Sequence, residues 1–421
     1  MSESITHNDR KAAALLRIIP FLCLGIFFLL SFSCSHKDSD RIVCEITEPL
    51  DSLLGTVFSA PDAPGAFVTV MRGDSVVYAH GFGLARLDTR APMTDTTRFN
   101  ICSASKLFVT AGVMKLVEQH RLGLDDTLSE FFPQLDKNVF GKITIRHILT
   151  HSTGLPDLRP RNEKEWMKYA DRFPSTQFAF FSDYLLYAKG EELTRFFEKL
   201  DTLAYEPGSR YEYMNPTYVL LSQIIEKVTA ENFDSWLHEN VIKSTGITTA
   251  EFYNKSHENL YSHGYIPAED GKSGNYSTSG GKWTEYDYGE APFFATKTDQ
   301  GVMITPADFR KWIRALCNGR IISQASLDTI NTVYISTHLS NSHIHYGLAT
   351  FIQTRPGMPV KVFHSTANGG YSIFECRFPD PDLSYMIFSN RSDWNRLEVA
   401  RKTDSILAAH GWLTNQIHEE N

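Results

Sequence analysis

A serine and a lysine three positions apart, Ser103 and Lys106, stand at the start of a run with helical periodicity. One helical turn places both side chains on the same face, within reach of each other. A serine hydroxyl is a weak nucleophile until a base removes its proton, and a lysine can be that base where burial or nearby cations lower its pKa. Free N–H groups at a helix N-terminus also suit a developing oxyanion. The pair therefore suggests nucleophilic catalysis through an acyl-serine.

The same spacing recurs at Ser279 and Lys282, in a Gly-rich stretch without helical periodicity. A chain of this length is expected to contain such a pair about once or twice by chance. Taken singly, Ser103 fits a structural role better than a catalytic one, so further motifs have to decide between the two.

Two later motifs supply groups that acyl transfer requires. Tyr213-Met-Asn215 is the only Tyr-x-Asn in the chain and directly precedes a predicted helix. A phenol coupled to a lysine can shuttle protons, and an Asn amide can hold both the lysine and a substrate carbonyl. The third motif, His364-Ser-Thr366, ends a predicted strand.

Hydrophobic periodicity predicts the elements that position these groups. Strands are predicted at Gly65–Met71, Ser75–Gly83, Tyr346–Thr354, Val360–His364, Tyr371–Phe378 and Leu383–Asn390. Helices are predicted from about Ser103 onward and at Glu192–Leu203, Tyr218–Thr229 and Asn395–His410. Strands at both chain ends around a helical middle predict an α/β (α+β) sandwich, an antiparallel β-sheet flanked by helices with an all-helical subdomain.

Within one hydrolase domain over residues 46–415, we expect two parts with the active site between them. The α/β part covers about 46–108 and 296–415, and the mainly helical part covers about 109–295. The shape of the substrate pocket depends on the segments 156–205 and 265–300, whose conformation the sequence does not predict.

The first residues of the chain are typical of an export signal. Arg10, Lys11 and Arg17 precede an apolar run over residues 18–32, and small residues follow it. That run is shorter than the roughly 20 residues that a membrane-spanning helix needs.

Residues Leu30–Cys34 resemble a relaxed bacterial lipoprotein cleavage box. We therefore expect a signal peptide over 1–34 and a tether over 35–45, with a lipid anchor at Cys34 if the chain is processed. This makes the protein an exported, periplasmic or outer-membrane-anchored lipoprotein. An uncleaved signal anchor or an ordinary signal peptide is the alternative, and both place the domain outside the cytoplasm.

Composition argues against one class of partner and does not decide whether the cysteines form a disulfide. The net charge of −8 is spread along the chain without a block of Lys or Arg, which argues against a nucleic-acid partner. Cys44, Cys102, Cys317 and Cys376 fit no zinc pattern, and free buried thiols are favoured slightly over a disulfide.

Taken in order, these motifs resemble the serine β-lactamases of the class C kind and their relatives, which include DD-peptidases, D-aminopeptidases and certain esterases. The resemblance covers roughly 350 residues. Its further carriers are Pro64-Gly-Ala, Val76-Val-Tyr78, Gly81-Phe-Gly83, Phe99-x-x-x-Ser-x-Ser-Lys106, Leu122–Asp126, His147–Leu155, Glu206-Pro-Gly208, Gly301–Thr305 with Asp308, and Tyr346-Gly-Leu348.

The resemblance implies catalytic roles for three residues. Ser103 corresponds to the nucleophile, and Lys106 to the residue that helps to deprotonate it. Tyr213 corresponds to the tyrosine that relays a proton to the leaving group and later helps to activate water. Neither a metal nor an organic cofactor is implied, and the resemblance accounts for the zinc-like spacing of His147 and His151.

The resemblance also implies substrate-binding groups. Asn215 corresponds to the positioning amide and His364 to the start of the third motif, while the backbone N–H groups of Ser103 and Ala367 form the oxyanion hole. The family's third motif usually ends in Gly, where this chain has Thr366. A side chain there would narrow the cleft or alter the oxyanion geometry.

Three functions stay open at this point. The favoured one is hydrolysis of an ester, an amide or a D-amino-acid peptide. The expected substrate is a small molecule or a peptide, and cell-wall-derived molecules belong to that class. A true β-lactamase is disfavoured by His364 and Thr366. A non-catalytic penicillin-binding or sensing module is disfavoured because the whole catalytic set is present.

Overall fold

The computed structural model describes most of the chain, namely residues 45–156, 200–268, 282–286, 297–339 and 343–413, with Thr194, Phe197, Glu198 and a strand at 276–278. The chain divides into two compact units, Met1–Ser52 and Leu53–Asn421. Of the first unit, the structure describes only a helical stretch over 45–52. The predicted signal peptide and nearly all of the tether lie outside the described residues. Within the described ranges, no helix is long and apolar enough to cross a membrane.

The strands are β1 (Ala66–Arg72), β2 (Ser75–Phe82), β3 (Leu84–Arg86), β4 (Ala91–Pro92), β5 (Phe99–Asn100), β6 (Glu251–Phe252), β7 (Tyr265–Pro267), β8 (Tyr276–Thr278), β9 (Trp283–Tyr286), β10 (Val302–Ile304), β11 (Ile335–Ser336), β12 (Ile344–Tyr346), β13 (Phe351–Gln353), β14 (Lys361–Asn368), β15 (Tyr371–Phe378) and β16 (Leu383–Ser389). The α-helices are α1 (45–58), α2 (Lys106–Glu118), α3 (Leu128–Phe131), α4 (Lys137–Phe140), α5 (Ile145–Leu149), α6 (Asn215–Thr229), α7 (Phe233–Leu237), α8 (Pro306–Cys317), α9 (Gln324–Ile330) and α10 (Arg396–Ala409). The remaining helical turns are Cys102–Ser105, His238–Ile242, Lys243–Thr245 and Lys255–Leu260.

One eight-stranded antiparallel sheet joins the two ends of the domain. Its strand order is β11-β12-β13-β14-β15-β16-β1-β2, so the N-terminal hairpin pairs directly with the last strand. Successive residues of a strand point to opposite faces of the sheet. On β14, Ser365 bonds to Arg396 of α10, whereas Thr366 bonds to Ser103 ahead of α2. Helical elements therefore cover both faces, and the predicted fold class is confirmed.

The helix that follows Ser103 is the centre of the core. Nearly every side chain of α2 is buried, and Phe108 stacks on Trp312 of α8 with ring centroids 3.7 Å apart. One turn further along α2, a Cβ atom at Gly112 would lie 3.1 Å from the Trp236 ring of α7, so glycine allows close packing there. An aromatic pair such as Phe108 and Trp312 contributes about 1 kcal/mol to stability beyond the effect of its buried area. These contacts hold α2 in a fixed position.

Several elements match their predicted positions closely, but two regions differ. The strand predicted over Tyr346–Thr354 is broken into β12 and β13, because Ala349 has a left-handed φ of 63° and the chain turns there. Gly347 permits this turn, since a Cβ atom would lie 2.4 Å from the Ile330 carbonyl oxygen. The mainly helical middle also contains the short strands β6 to β9. Of the helix predicted at Glu192–Leu203, the structure describes Thr194 and Phe197 as helical, whereas the last four residues are not helical and the remainder lies partly outside the described residues.

Candidate active site

Ser103 lies in the 3₁₀ turn Cys102–Ser105, which continues directly into α2. Cys102 has a φ of 49°, in the left-handed region that non-glycine residues seldom adopt. Asn100 supports this conformation, because its Oδ1 accepts from Cys102 N at 2.9 Å while its Nδ2 donates to the Gln300 carbonyl at 2.8 Å. Backbone strain of this kind is often found at functional sites.

Lys106 is almost completely buried, with 1% of its surface exposed. Its Nζ lies 3.3 Å from Ser103 Oγ and 2.9 Å from Asn215 Oδ1. A third bond, of 2.9 Å, goes to the backbone carbonyl of Asp299. The Lys106 amino group thus has three polar partners, and none of them is a carboxylate.

The Tyr213 motif lies beside Lys106, at the N-terminus of α6. Asn215 is the first residue of that helix, and Tyr213 stands just before it in extended chain. Lys106 Nζ lies over the Tyr213 ring, 5.1 Å from its centroid, and 5.2 Å from the centroid of Tyr218. The structure thus brings together the predicted residues Ser103, Lys106, Tyr213 and Asn215.

His151 packs against the rings of Tyr213 and Tyr218 and so supports this group, a role that the sequence analysis missed. Its ring lies 4.0 Å from the Tyr213 ring and 4.9 Å from the Tyr218 ring, measured between centroids. Nδ1 accepts from Met214 N at 3.1 Å, so the ring proton is on Nε2. Burial, and then the positive charge of Lys106, hold the pKa of His151 well below its usual value. His151 is therefore a neutral support of the Tyr213 segment.

His364 lies on the opposite side of the cleft, on β14, and is also buried. Its Nδ1 lies 2.5 Å from Glu375 Oε1 on β15, and its Nε2 donates to the Ala349 carbonyl at 2.6 Å. His364 lines the cleft. Both of its ring nitrogens nevertheless bond to groups of the protein, so in this conformation neither of them is offered to a substrate.

Thr366 hydrogen-bonds to one of the two backbone amides predicted to form the oxyanion hole. Its Oγ1 accepts from Ser103 N at 3.1 Å. Ala367, which carries the other predicted amide, lines the cleft next to it. The departure seen in the third motif therefore has a direct structural consequence at Ser103.

The open cleft between these two sides has an empty volume of about 890 Å³. It is lined by Ser103, Tyr211, Tyr213, Asn215, Gln300, Tyr346, Phe351, His364, Ser365, Thr366, Ala367 and Asn368. Large parts of the segments 156–205 and 265–300, expected to shape the pocket, lie outside the described residues.

The other candidate groups do not assemble a second site within the described ranges. His147 caps α5, with its Nδ1 accepting from Thr144 N at 3.2 Å. Among the residues that the structure describes, no three His, Cys, Asp or Glu side chains could hold a metal ion together. Ser279 of the second Ser-x-x-Lys pair lies outside those residues.

The described cysteines are free thiols. Cys102 and Cys376 are buried, and Cys317 is partly exposed. Burial raises the pKa of the Cys102 thiol to about 12, so it is neutral at physiological pH. Cys44 lies outside the described residues.

Residues 50–410 match the Beta-lactamase family, and the chain belongs to that family. The resemblance found in the sequence is thereby confirmed. Its relatives include a D-aminopeptidase, so the site described above belongs to a family that includes hydrolases.

Two relatives show the range of this similarity. The chain is 26% identical over 343 residues to penicillin-binding protein 4* of Bacillus subtilis (strain 168), an alignment that covers 79% of this chain and 69% of that protein. It is 31% identical over 205 residues to D-aminopeptidase of Brucella anthropi, which covers 49% of this chain. That alignment spans only 36% of the length of the D-aminopeptidase.

Solved structures show the same fold. The octameric penicillin-binding protein homologue from Pyrococcus abyssi superposes with a TM-score of 0.70 at 24% identity, covering 86% of this chain and 77% of that chain. EstCE1, a hydrolase with promiscuous acyltransferase activity, superposes with a TM-score of 0.67 at 20% identity, covering 86% of this chain and 99% of that chain.

Proposed function

We propose that this chain is a serine hydrolase that acts on an ester, an amide or a D-amino-acid peptide through an acyl-enzyme at Ser103. The observation that carries the proposal is the position of Lys106 Nζ, 3.3 Å from Ser103 Oγ and 2.9 Å from Asn215 Oδ1. Burying a lysine without a carboxylate partner is costly. A purely structural role explains that cost poorly, whereas activation of a nucleophile explains it well.

The mechanism follows from these positions. Ser103 Oγ attacks the substrate carbonyl carbon, and its proton passes to the Lys106–Tyr213 pair. The oxyanion lies against the Ala367 amide and beside the Ser103 turn, whose backbone N–H bonds to Thr366 Oγ1 in the free protein. Tyr213 relays the proton to the leaving group as the bond to that group breaks. Water then attacks the acyl-serine and gives a proton to the same pair, which returns it to Ser103 Oγ as the bond to the acyl group breaks and the acid product leaves.

The family supports the reaction type, and the relatives suggest the substrate class. Relatives and similar structures include a D-aminopeptidase, a D-amino acid amidase and the hydrolase EstCE1. An amide or ester with a D-amino-acid or small acyl part is thus the substrate that we propose for this chain. Small molecules and cell-wall-derived peptides both belong to that class.

We also propose that the protein is exported and held to a membrane through a lipid at Cys34. The support comes from the basic and apolar residues that precede Leu30–Cys34. The intact mass of the protein purified from membranes tests this proposal. A chain that begins at a lipidated Cys34 supports it, and an unprocessed chain excludes it.

Active-site labelling tests the catalytic proposal. The full chain in mild detergent is incubated with a fluorophosphonate probe and, separately, with a fluorescent penicillin, and peptide mapping locates any adduct. We expect phosphonate labelling at Ser103. It should disappear in Ser103→Ala and persist in Ser222→Ala, which removes a hydroxyl bonded within α6 to the Val219 carbonyl.

The two probes also separate the rival functions. Labelling by the phosphonate alone supports an esterase or amidase. A stable penicillin adduct indicates a penicillin-binding peptidase, and rapid penicillin consumption indicates a β-lactamase. If a folded protein forms no adduct, or if the adduct survives Ser103→Ala, the acyl-enzyme proposal is wrong and a binding module is the better account.

A further inference from the structure

Thr366 places a hydroxyl group at the amide that should bind the oxyanion. Its Oγ1 lies 3.1 Å from Ser103 N, it is only 8% exposed, and it lines the cleft. The neighbouring Ser365 hydroxyl faces the other way and accepts from Arg396 Nε at 3.2 Å. On this part of β14, Thr366 is thus the hydroxyl that meets the nucleophile turn.

A hydroxyl that accepts one hydrogen bond still has a proton to donate. In the free protein the side chain that interacts with this hydroxyl is Cys102, whose thiol is neutral and buried. A thiol sulfur is a weak acceptor. Among the residues that the structure describes, no carbonyl or carboxylate accepts the Thr366 proton, and charge that develops in the cleft would supply a stronger acceptor.

We propose that the Thr366 hydroxyl is a side-chain donor of the oxyanion hole, which donates to the substrate oxygen while Ser103 N–H donates to Thr366. This inference rests on the proposed function of Ser103. The Thr366 O–H bond stays intact throughout, and only its hydrogen-bond acceptor changes when the oxyanion forms. An oxyanion is a far stronger acceptor than a neutral carbonyl or thiol. The bond therefore strengthens in the transition state, which is the condition for a larger kcat.

A simpler alternative makes the opposite prediction. If the hydroxyl only blocked Ser103 N–H, a substrate would have to expel it, and its removal would speed acylation. The sign of the change on removing the hydroxyl thus separates a donor from an obstruction.

The test compares Thr366→Val, Thr366→Ser and Thr366→Ala with Thr403→Val, the same chemical change at a buried helical threonine on α10. For each variant, kcat and KM for a p-nitrophenyl ester, the phosphonylation rate and the melting temperature are measured. We expect Thr366→Val to lower kcat and the phosphonylation rate by about 100-fold, the effect of removing one oxyanion donor. KM should change less than about threefold, since the bond forms with the transition state.

The other variants sharpen the interpretation. Thr366→Ser keeps the donor, so kcat should stay within about fivefold of the unmodified protein, and Thr366→Ala should fall between Ser and Val because water can enter. A faster Thr366→Ala, or a Thr366→Val that matches Thr403→Val, would overturn the inference. An unmodified protein that does not react with the phosphonate would instead remove the proposed function itself.

Discussion

The cleft has two walls that are held together in different ways. The helix wall, formed by Ser103, Lys106, Tyr213 and Asn215, has polar side chains that bond to one another at the edge of the cleft. The strand wall is the part of β14 from His364 to Ala367. Its histidine bonds into the sheet rather than into the cleft.

The helix wall carries the groups proposed for the chemistry, whereas the strand wall supports the backbone of the cleft. In the proposed mechanism a proton moves between the groups of the helix wall, so their mutual distances decide the rate. On the strand wall, His364 and Glu375 fix the backbone that presents the Ala367 amide, so their bonds decide stability. We therefore expect substitutions on the two walls to differ in which measurement they change.

The largest effect is expected for Lys106→Met, which keeps the side-chain length but removes the base. The ester kcat/KM should fall by at least about 1,000-fold, within the usual range for removing general-base catalysis. The melting temperature should change little or rise, because a buried polar side chain is replaced by an apolar one of similar length.

Lys115→Met is the matched control, since Lys115 lies on the same helix and donates to the Ile321 carbonyl at 3.3 Å. Its activity should equal that of the unmodified protein. If Lys106→Met keeps more than about a tenth of the activity, the helix wall does not supply the base.

The helix wall could be predicted because its spacing is local. Ser103 and Lys106 are one helical turn apart, and that geometry is the same in any α-helix. Tyr213 and Asn215 directly precede a periodic apolar run, which places them at the start of α6. The sequence does not predict that α2 and α6 lie close enough for Lys106 Nζ to donate to Asn215 Oδ1.

The strand wall depends on contacts between distant parts of the chain. His364 lies directly opposite Glu375 because β14 and β15 pair in this register. Its second acceptor, the Ala349 carbonyl, is available only because the chain turns between β12 and β13. The bond between Thr366 and Ser103 joins residues 263 positions apart. No local pattern predicts such partners, and the same is true of His151 beneath Tyr213.

A second prediction tests whether the strand wall is a support. Glu375→Ala leaves His364 Nδ1 buried without its partner, and the unfolding free energy in urea should fall by about 3 kcal/mol. Glu375→Gln keeps the volume and can donate to Nδ1 of a neutral His364, so its loss should be about 1 kcal/mol.

Ester turnover by the folded fraction of both variants should stay within about threefold of the unmodified protein. A loss of turnover by about 100-fold with unchanged stability would contradict the comparison. It would show that the His364–Glu375 pair takes part in the reaction.

The smallest effect concerns the pH dependence of stability, through His151. Its pKa in the folded protein is well below 6.5, because of burial and then the charge of Lys106. Above pH 6.5 the residue is neutral in both states, so its contribution to stability is complete. Below pH 6.5 the unfolded chain binds a proton that the folded protein does not, and stability falls. Between pH 7.5 and 5.5 this group alone should cost about 1.4 kcal/mol.

His151→Asn tests this contribution, because the Asn oxygen can replace Nδ1 as the acceptor for Met214 N and asparagine tolerates the left-handed φ of 52° at this position. The variant should lose about 1.4 kcal/mol less than the unmodified protein between pH 7.5 and 5.5 in urea unfolding. His410→Asn, at an exposed position after α10, should leave the pH dependence unchanged. If His151→Asn follows the same pH curve as the unmodified protein, His151 becomes protonated in the folded state. In that case the residue that packs against Tyr213 would be charged. His151 would then not be the neutral support that the comparison of the two walls assumes.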